Sequence, residues 1–307
     1  MQNCPVDFFD SGEKEKVSMN ENTQTAMHVS KVSIAVNLLL SALKLTAGLI
    51  AHSGAMISDA VHSASDVFST VIVMIGVKLS GKESDREHPY GHERLECVAA
   101  ILLAVVLLIT GLAIGYEGVM KIVSDPSQLE IPGLPAIFAA VLSILVKELL
   151  FRYTRRYARK IDSGALMADA WHHRSDALSS VGALIGVIGA RSGLPVLDPL
   201  ASVVICVFIG KAAFDIFVDA VNKMVDHSCD EDTEDAIRLK VTEHPEVERI
   251  DLLRTREFGN RIYIELEIAV NGDLSLTQAH AIAEQVHDDI EESFPKVKHI
   301  MIHVNPV

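Results

Sequence analysis

Residues 168–176 read Ala-Asp-Ala-Trp-His-His-Arg-Ser-Asp, a knot of ionisable side chains at the head of a stretch that is otherwise apolar as far as Ala190. On a helix Asp169, His172 and Asp176 fall at i, i+3 and i+7 and share one face. Earlier in the chain, residues 58–66 read Ser-Asp-Ala-Val-His-Ser-Ala-Ser-Asp, and the frame Asp-Ala-x-His-x-x-Ser-Asp again opens an apolar run. A charge at mid-bilayer costs about 2.5–3.5 kcal/mol even on lenient insertion scales. Two such turns on bilayer-crossing helices therefore have to face each other or an aqueous cavity.

The rest of the composition agrees with a membrane setting. The mean hydropathy is +0.29, with 49% hydrophobic and only 5% aromatic residues, the balance of lipid-facing helices. Apolar runs long enough for a hydrocarbon layer of about 30 Å lie near 29–51, 56–79, 95–119, 132–151, 165–190 and 199–221. They predict six spans. Between the fourth and fifth, Arg152–Lys160 carries five basic residues in nine and reads as a loop. The positive-inside rule puts that loop in the cytoplasm. An even number of spans then puts both termini and residues 80–94 on the same side. Pro126, Pro132 and Pro135 mark an outer connection, and Gly182, Gly186 and Gly189 with Ala183 and Ala190 give the fifth span a small-residue face.

Residues 1–28 read as a loose cytoplasmic lead-in without the apolar core of a signal peptide, and 29–221 as the transmembrane domain. Residues 222–307 form an acidic tail: 19 Asp+Glu against 9 Lys+Arg give −10 of the chain's net charge of −14. Nucleic acid is thereby disfavoured as a partner. In this tail 231–243 and 275–292 have helical periodicity, while 247–256, 261–270 and 297–304 read as strands with a turn at Phe258-Gly-Asn260. The predicted fold class is an all-α six-helix transmembrane bundle followed by a C-terminal α+β domain of order αββαβ, ferredoxin-like or metallochaperone-like. Cys4, Cys97, Cys206 and Cys229 are scattered without a CxxC pair, so neither a disulfide framework nor a thiolate metal site is indicated.

His62 and Asp66, like His172 and Asp176, are i,i+4 neighbours. If the two spans pack side by side, two imidazoles and two carboxylates converge as an N2O2 set, the number and type a tetrahedral ion such as Zn²⁺ takes. The alternative is interhelical hydrogen-bonding, which a repeat on two helices makes less economical. Asp59 and Asp169, one turn away, read either as cavity-wall carboxylates or as helix-start residues. His173 points around the helix from His172, and Arg174 needs a carboxylate partner. There is no HExxH and no nucleophile–base pair, so an enzyme is not expected.

The paired HxxxD motifs, the six spans and the acidic αββαβ tail resemble the cation diffusion facilitator family, nearest its bacterial zinc/iron-efflux members. That resemblance implies a homodimer in the cytoplasmic membrane that exports a divalent cation, Zn²⁺ or one of Fe²⁺, Mn²⁺, Cd²⁺ and Co²⁺, against protons. It implies His62, Asp66, His172 and Asp176 as the transport site. It implies a second site at Asp85, His88 and His92 in the loop Asp-Arg-Glu-His-Pro-Tyr-Gly-His, which also reads as a turn. In the tail the family's metal pair maps to Asp251, Glu267, His280 and His303, with Asp251, Glu267 and Asn305 standing where His, His and Asp are expected; a more oxygen-rich set favours a harder ion. A charge pair tying the two domains maps to Arg94 and Asp230. The rival readings are an Mn²⁺ or Fe²⁺ exporter of the same fold and a non-transporting membrane metal sensor.

Overall fold

The computed structural model describes residues 9–50, 54–123, 134–191 and 197–307. The chain divides into two compact units, Met1–Ala220 and Val221–Val307. In the first, helices follow one another as α1 (Phe9–Ile50), α2 (Gly54–Ser80), α3 (Arg94–Val123), α4 (Leu134–Ile161), α5 (Gly164–Arg191) and α6 (Leu197–Met224). The prolines of the expected outer connection up to Pro132 lie outside the described residues. The lead-in expected to be loose is helical from Phe9.

The polarity of this bundle is inverted relative to a water-soluble one. Leu39, Phe68, Val207 and Phe214 are exposed, whereas Ser33, Asn37, Thr70, Lys147, Asp169 and His173 are buried. Water offers no reason for that arrangement; a hydrocarbon solvent does, because it takes up leucine and phenylalanine and excludes charge. By length and composition alone, Glu21–Thr46 and Arg94–Met120 are the described stretches apolar enough to cross a membrane. Helices α4 and α5 carry Lys147, Glu148, Asp169, Arg174 and Asp176, and these side chains find polar partners within the bundle: Lys147 meets Asp176, Arg174 meets Glu148 and Asp169 meets His173.

Close approach of the helices depends on small residues. A Cβ on Gly76 of α2 would overlap that of Ala99 on α3, and one on Gly182 of α5 would come within 2.9 Å of Ile205 Cδ1 on α6. Glycine at both positions lets backbones meet without a gap.

Arg152–Lys160 is not a loop. It continues α4 to Ile161, because nothing before Asp162 breaks a helix and the apolar stripe persists: Leu150, Phe151, Thr154, Ala158 and Ile161 are buried at i, i+3, i+4 and i+7 spacings. Tyr153 and Tyr157 stack edge-on at 5.0 Å along the same helix. The connection shrinks to Asp162 and Ser163. Asp162 takes the left-handed conformation (φ 53°) and Ser163 N–H donates to Ala158 O at 2.9 Å, a Schellman ending. Ser163 Oγ then accepts from Leu166 N–H at 3.1 Å and caps α5. Helices α4 and α5 are thus a tight antiparallel hairpin, and this fixes the register between Lys147 and Asp176.

The second unit contains α7 (Glu231–Thr242), β1 (Arg249–Phe258), β2 (Arg261–Val270), α8 (Leu276–Ser293) and β3 (Val297–Pro306). The sheet order is β1-β2-β3, with β1 antiparallel and β3 parallel to β2. Gly259, with φ 66°, opens the two-residue hairpin turn, as a type II′ turn requires. Ile264, Leu266 and Ile268 of β2 are buried together with Ile237 and Val241 of α7 and Ile282, Val286 and Ile290 of α8. Asp230 caps α7, accepting from Thr233 N–H at 2.8 Å, and Ser275 with Gln278 forms a capping box on α8.

Candidate metal centre

Helix α5 turns Asp169, His172, His173 and Asp176 inward, all nearly inaccessible. Helix α2 contributes Asp66, 2% exposed. One ligand atom each from Asp66, His172 and Asp176 lies within 4.8 Å of the others, with His172 Nε2 3.5 Å from Asp66 Oδ1 and 3.4 Å from Ser69 Oγ. The side chains of His62 and Asp59 on α2 lie outside the described residues. His62 stands one helical turn before Asp66, and Ser63, next to it, accepts from Lys44 Nζ of α1 at 2.9 Å.

The unforeseen member is Lys147. Its Nζ lies 2.5 Å from Asp66 Oδ2 and 2.9 Å from Asp176 Oδ2, with the lysine side chain 2% exposed. A lysine inside the apolar run of α4 was the available signal, since a buried ammonium has to find carboxylates; its partners lie on two other helices, which no spacing rule connects to it.

One turn along α5, Asp169 and His173 are fully buried. Thr70 Oγ1 donates to Asp169 Oδ1 at 3.0 Å, and His173 Nε2 stands 3.5 Å from Asp169 Oδ2. Arg174 finds its carboxylate in Glu148 at 3.7 Å, and its guanidinium lies 4.5 Å from the centroid of the Phe151 ring.

The connection between α2 and α3 gathers Asp85, His88 and His92, again with ligand atoms within 4.8 Å of one another. Asp85 Oδ1 accepts from the backbone N–H of Glu87 (3.0 Å) and His88 (2.8 Å), and Gly91 takes φ 101°; the turn is what brings the two imidazoles to a centroid distance of 4.5 Å. His92 is buried and its Nδ1 has no hydrogen-bond partner, while Lys82 Nζ sits 2.6 Å from Asp85 Oδ2. That ammonium, with the backbone of His88, holds the Asp85 carboxyl well below the usual carboxylate range. Three ionised or neutral donors and an unspent ring nitrogen suit a divalent ion, provided Lys82 yields.

In the tail, Asn305 Nδ2 donates to Asp251 Oδ2 (2.9 Å) and Glu267 Oε2 (3.2 Å). Arg249 grips Asp251 from the other side at 2.5 Å and, with Asn305, keeps its carboxyl below the usual range. His303 is the parallel-register partner of Glu267. His280 projects from α8, exposed and 3.3 Å from Glu284. Among the described residues these four ligands do not form a group like the two above: an amide and a guanidinium already satisfy the carboxylates. Asp230 is engaged as the α7 cap.

An apolar-surfaced helical bundle with carboxylates and an imidazole converging inside it is a membrane-type fold whose interior offers ligands for a divalent cation. Comparison with known proteins makes the class specific. Residues 30–225 match the cation efflux transmembrane domain and residues 229–307 the cytoplasmic domain of cation efflux proteins. The chain is 31% identical over 294 residues to the manganese efflux system protein MneP of Bacillus subtilis (strain 168), covering 94% of this chain and 98% of that one. It is 32% identical to the magnetosome protein MamB of Magnetospira sp. (strain QH-2) (85% and 88% covered) and 30% identical to the manganese efflux system protein MneS of Bacillus subtilis (strain 168) (90% and 94%). The chain belongs to the cation diffusion facilitator family of membrane-embedded divalent metal efflux transporters.

Proposed function

We propose that this protein is a proton-coupled exporter of a divalent cation, working by alternating access as a homodimer in the cytoplasmic membrane, with both termini in the cytoplasm. The observation that carries the reading is the buried convergence of Asp66, His172 and Asp176, to which His62 would add the fourth ligand of a tetrahedral set. The cargo enters from the cytoplasm with the imidazoles neutral. After the bundle rocks, protons from outside compete for the same groups and release it, because a ring nitrogen cannot hold a proton and a metal at once. Asp85, His88 and His92, and across a dimer Asp251, Glu267, His280 and His303, would take a regulatory ion that favours the associated form.

Zn²⁺ is the cargo the donor set suggests first. A second reading, Mn²⁺, is supported by two relatives named as manganese efflux proteins and by the carboxylate-rich surroundings of the site, which suit a harder ion. Proteoliposomes under an imposed pH gradient test both. Flux is expected in the wild type and lost in Asp66→Ala and Asp176→Ala; absent flux, or flux indifferent to those changes, removes the transporter reading. A competition series of Zn²⁺, Fe²⁺, Mn²⁺, Cd²⁺ and Co²⁺ names the ion.

A further inference from the structure

We propose that the ammonium of Lys147 is a tethered counter-ion that holds the cation site when no divalent ion is there, so that cargo and Lys147 compete for Asp66 and Asp176. The inference rests on the reading of Asp66, His172 and Asp176 as the transport site.

The geometry is that of a cation already in place. Nζ bridges Asp66 Oδ2 on α2 and Asp176 Oδ2 on α5, and these are carboxylates of the two residues that, with His172, make up the metal-type group. Two carboxylates this deeply buried would repel each other without a positive charge between them. An ammonium is a compact point charge with three donors and no acceptor. It can replace a metal ion electrostatically but cannot ligate one while charged. A divalent ion bound to the same carboxylates, at about 2.0–2.2 Å for Zn²⁺, would stand too close to Nζ for both positive charges to remain in a dry site. Loading the site therefore requires Lys147 to let go, and its four flexible methylenes allow it to swing aside. Unloading is helped by its return.

Two functional consequences follow. The apparent affinity for the cargo is lower than the donor set alone would give, which suits a carrier that must release what it binds. A singly charged ion gains nothing over the ammonium it would have to displace, so the lysine also selects for divalent charge. Removing a lysine that served only to stabilise the bundle would neither tighten cargo binding nor slow its release.

The test measures initial flux in proteoliposomes of the full chain, over a range of Zn²⁺ and of Mn²⁺, for wild type, Lys147→Met and Lys147→Gln, with Asp66→Asn/Asp176→Asn as the blank. With the competitor removed, KM is expected to fall about tenfold or more, and kcat to fall with it as release slows. An unchanged or raised KM in a folded variant overturns the proposal. On the wild-type protein, independently of how the variants fold, saturating Zn²⁺ should raise the acylation of Lys147 by an amine-reactive reagent several-fold over the metal-free protein, read by mass spectrometry. Unchanged labelling overturns it as well. Wild-type flux with no response at Lys147 removes the lysine's role alone; no wild-type flux above the blank removes the transport-site reading and the lysine's role with it.

Discussion

The cluster inside the bundle and the one in its α2–α3 connection are built of the same side chains, aspartate, histidine and one lysine, in two different media. In the interior, Lys147 is 2% exposed and holds two carboxylates; in the connection, the Lys82 side chain is 58% exposed and holds one. Bulk water screens the second pair and makes it energetically slight. The first has no such screen, so the ammonium is a condition for the two carboxylates to coexist. Equal chemistry thus becomes a structural necessity in one place and an adjustable surface feature in the other.

The sharpest way to break this contrast is to remove one carboxylate from each cluster. Asp176→Ala should destabilise the bundle by about 3 kcal/mol, because the buried Lys147 ammonium loses one of its two carboxylates and keeps only Asp66, and should abolish flux; Asp85→Ala should leave the melting temperature nearly where it was. Thermal unfolding in detergent, beside flux, measures both, and equal stability losses would show that the media do not differ as described. Gly76→Val attacks the walls rather than the charges: a side chain there collides with Ala99, at a cost of about 3 kcal/mol, seen as a lowered unfolding midpoint. A retained midpoint would mean that α2 and α3 are free to part.

Thr70→Val deprives the fully buried Asp169 of its 3.0 Å donor and should cost about 1–2 kcal/mol in the same assay; no loss would show that Asp169 is satisfied by other means. The smallest effect belongs to a water-facing histidine. Glu291, 3.1 Å from His287 Nε2, raises the His287 pKa above its ordinary value. A raised folded-state pKa contributes stability below the unfolded value of about 6.5, and that contribution is lost as pH rises through the folded value. Residues 222–307 should therefore become slightly less stable to urea between mildly acidic and mildly alkaline pH, and His287→Gln should flatten that slope.

Much of this was legible in the sequence, for reasons particular residues make plain. The tail's elements match to within about two residues because Ile262, Ile264, Leu266 and Ile268 alternate and Gly259 marks the hairpin. The repeated HxxxD frame pointed to α2 and α5 because i,i+4 spacing is local to one helix. Lys147 was not legible as part of the site: it sits in a run read only for its length, and its partners are 81 and 29 residues away. Arg152–Lys160 was mistaken for a loop because charge density was taken as a sign of irregular backbone, though every residue there is compatible with a helix and the buried stripe through Thr154, Ala158 and Ile161 continues unbroken. In the tail, the resemblance supplied ligand positions, Asn305 among them, but not the contacts by which Arg249 and Asn305 engage Asp251 and Glu267.

Helices α4 and α5 are fastened at more than one level. Lys147 meets Asp176, Arg174 leans on Glu148 and covers Phe151, and the Phe151 ring meets Trp171 edge-on at 5.7 Å. The two-residue hairpin at Asp162–Ser163 closes the same pair from its end. Against this pair, α2 is held by polar contacts of Asp66 with Lys147 and His172, of Ser69 with His172 and of Thr70 with Asp169. A motion that spared the rivets would keep His172, Asp176 and Lys147 together, and of the three converging ligands only Asp66, carried on α2, would change its distance to the others.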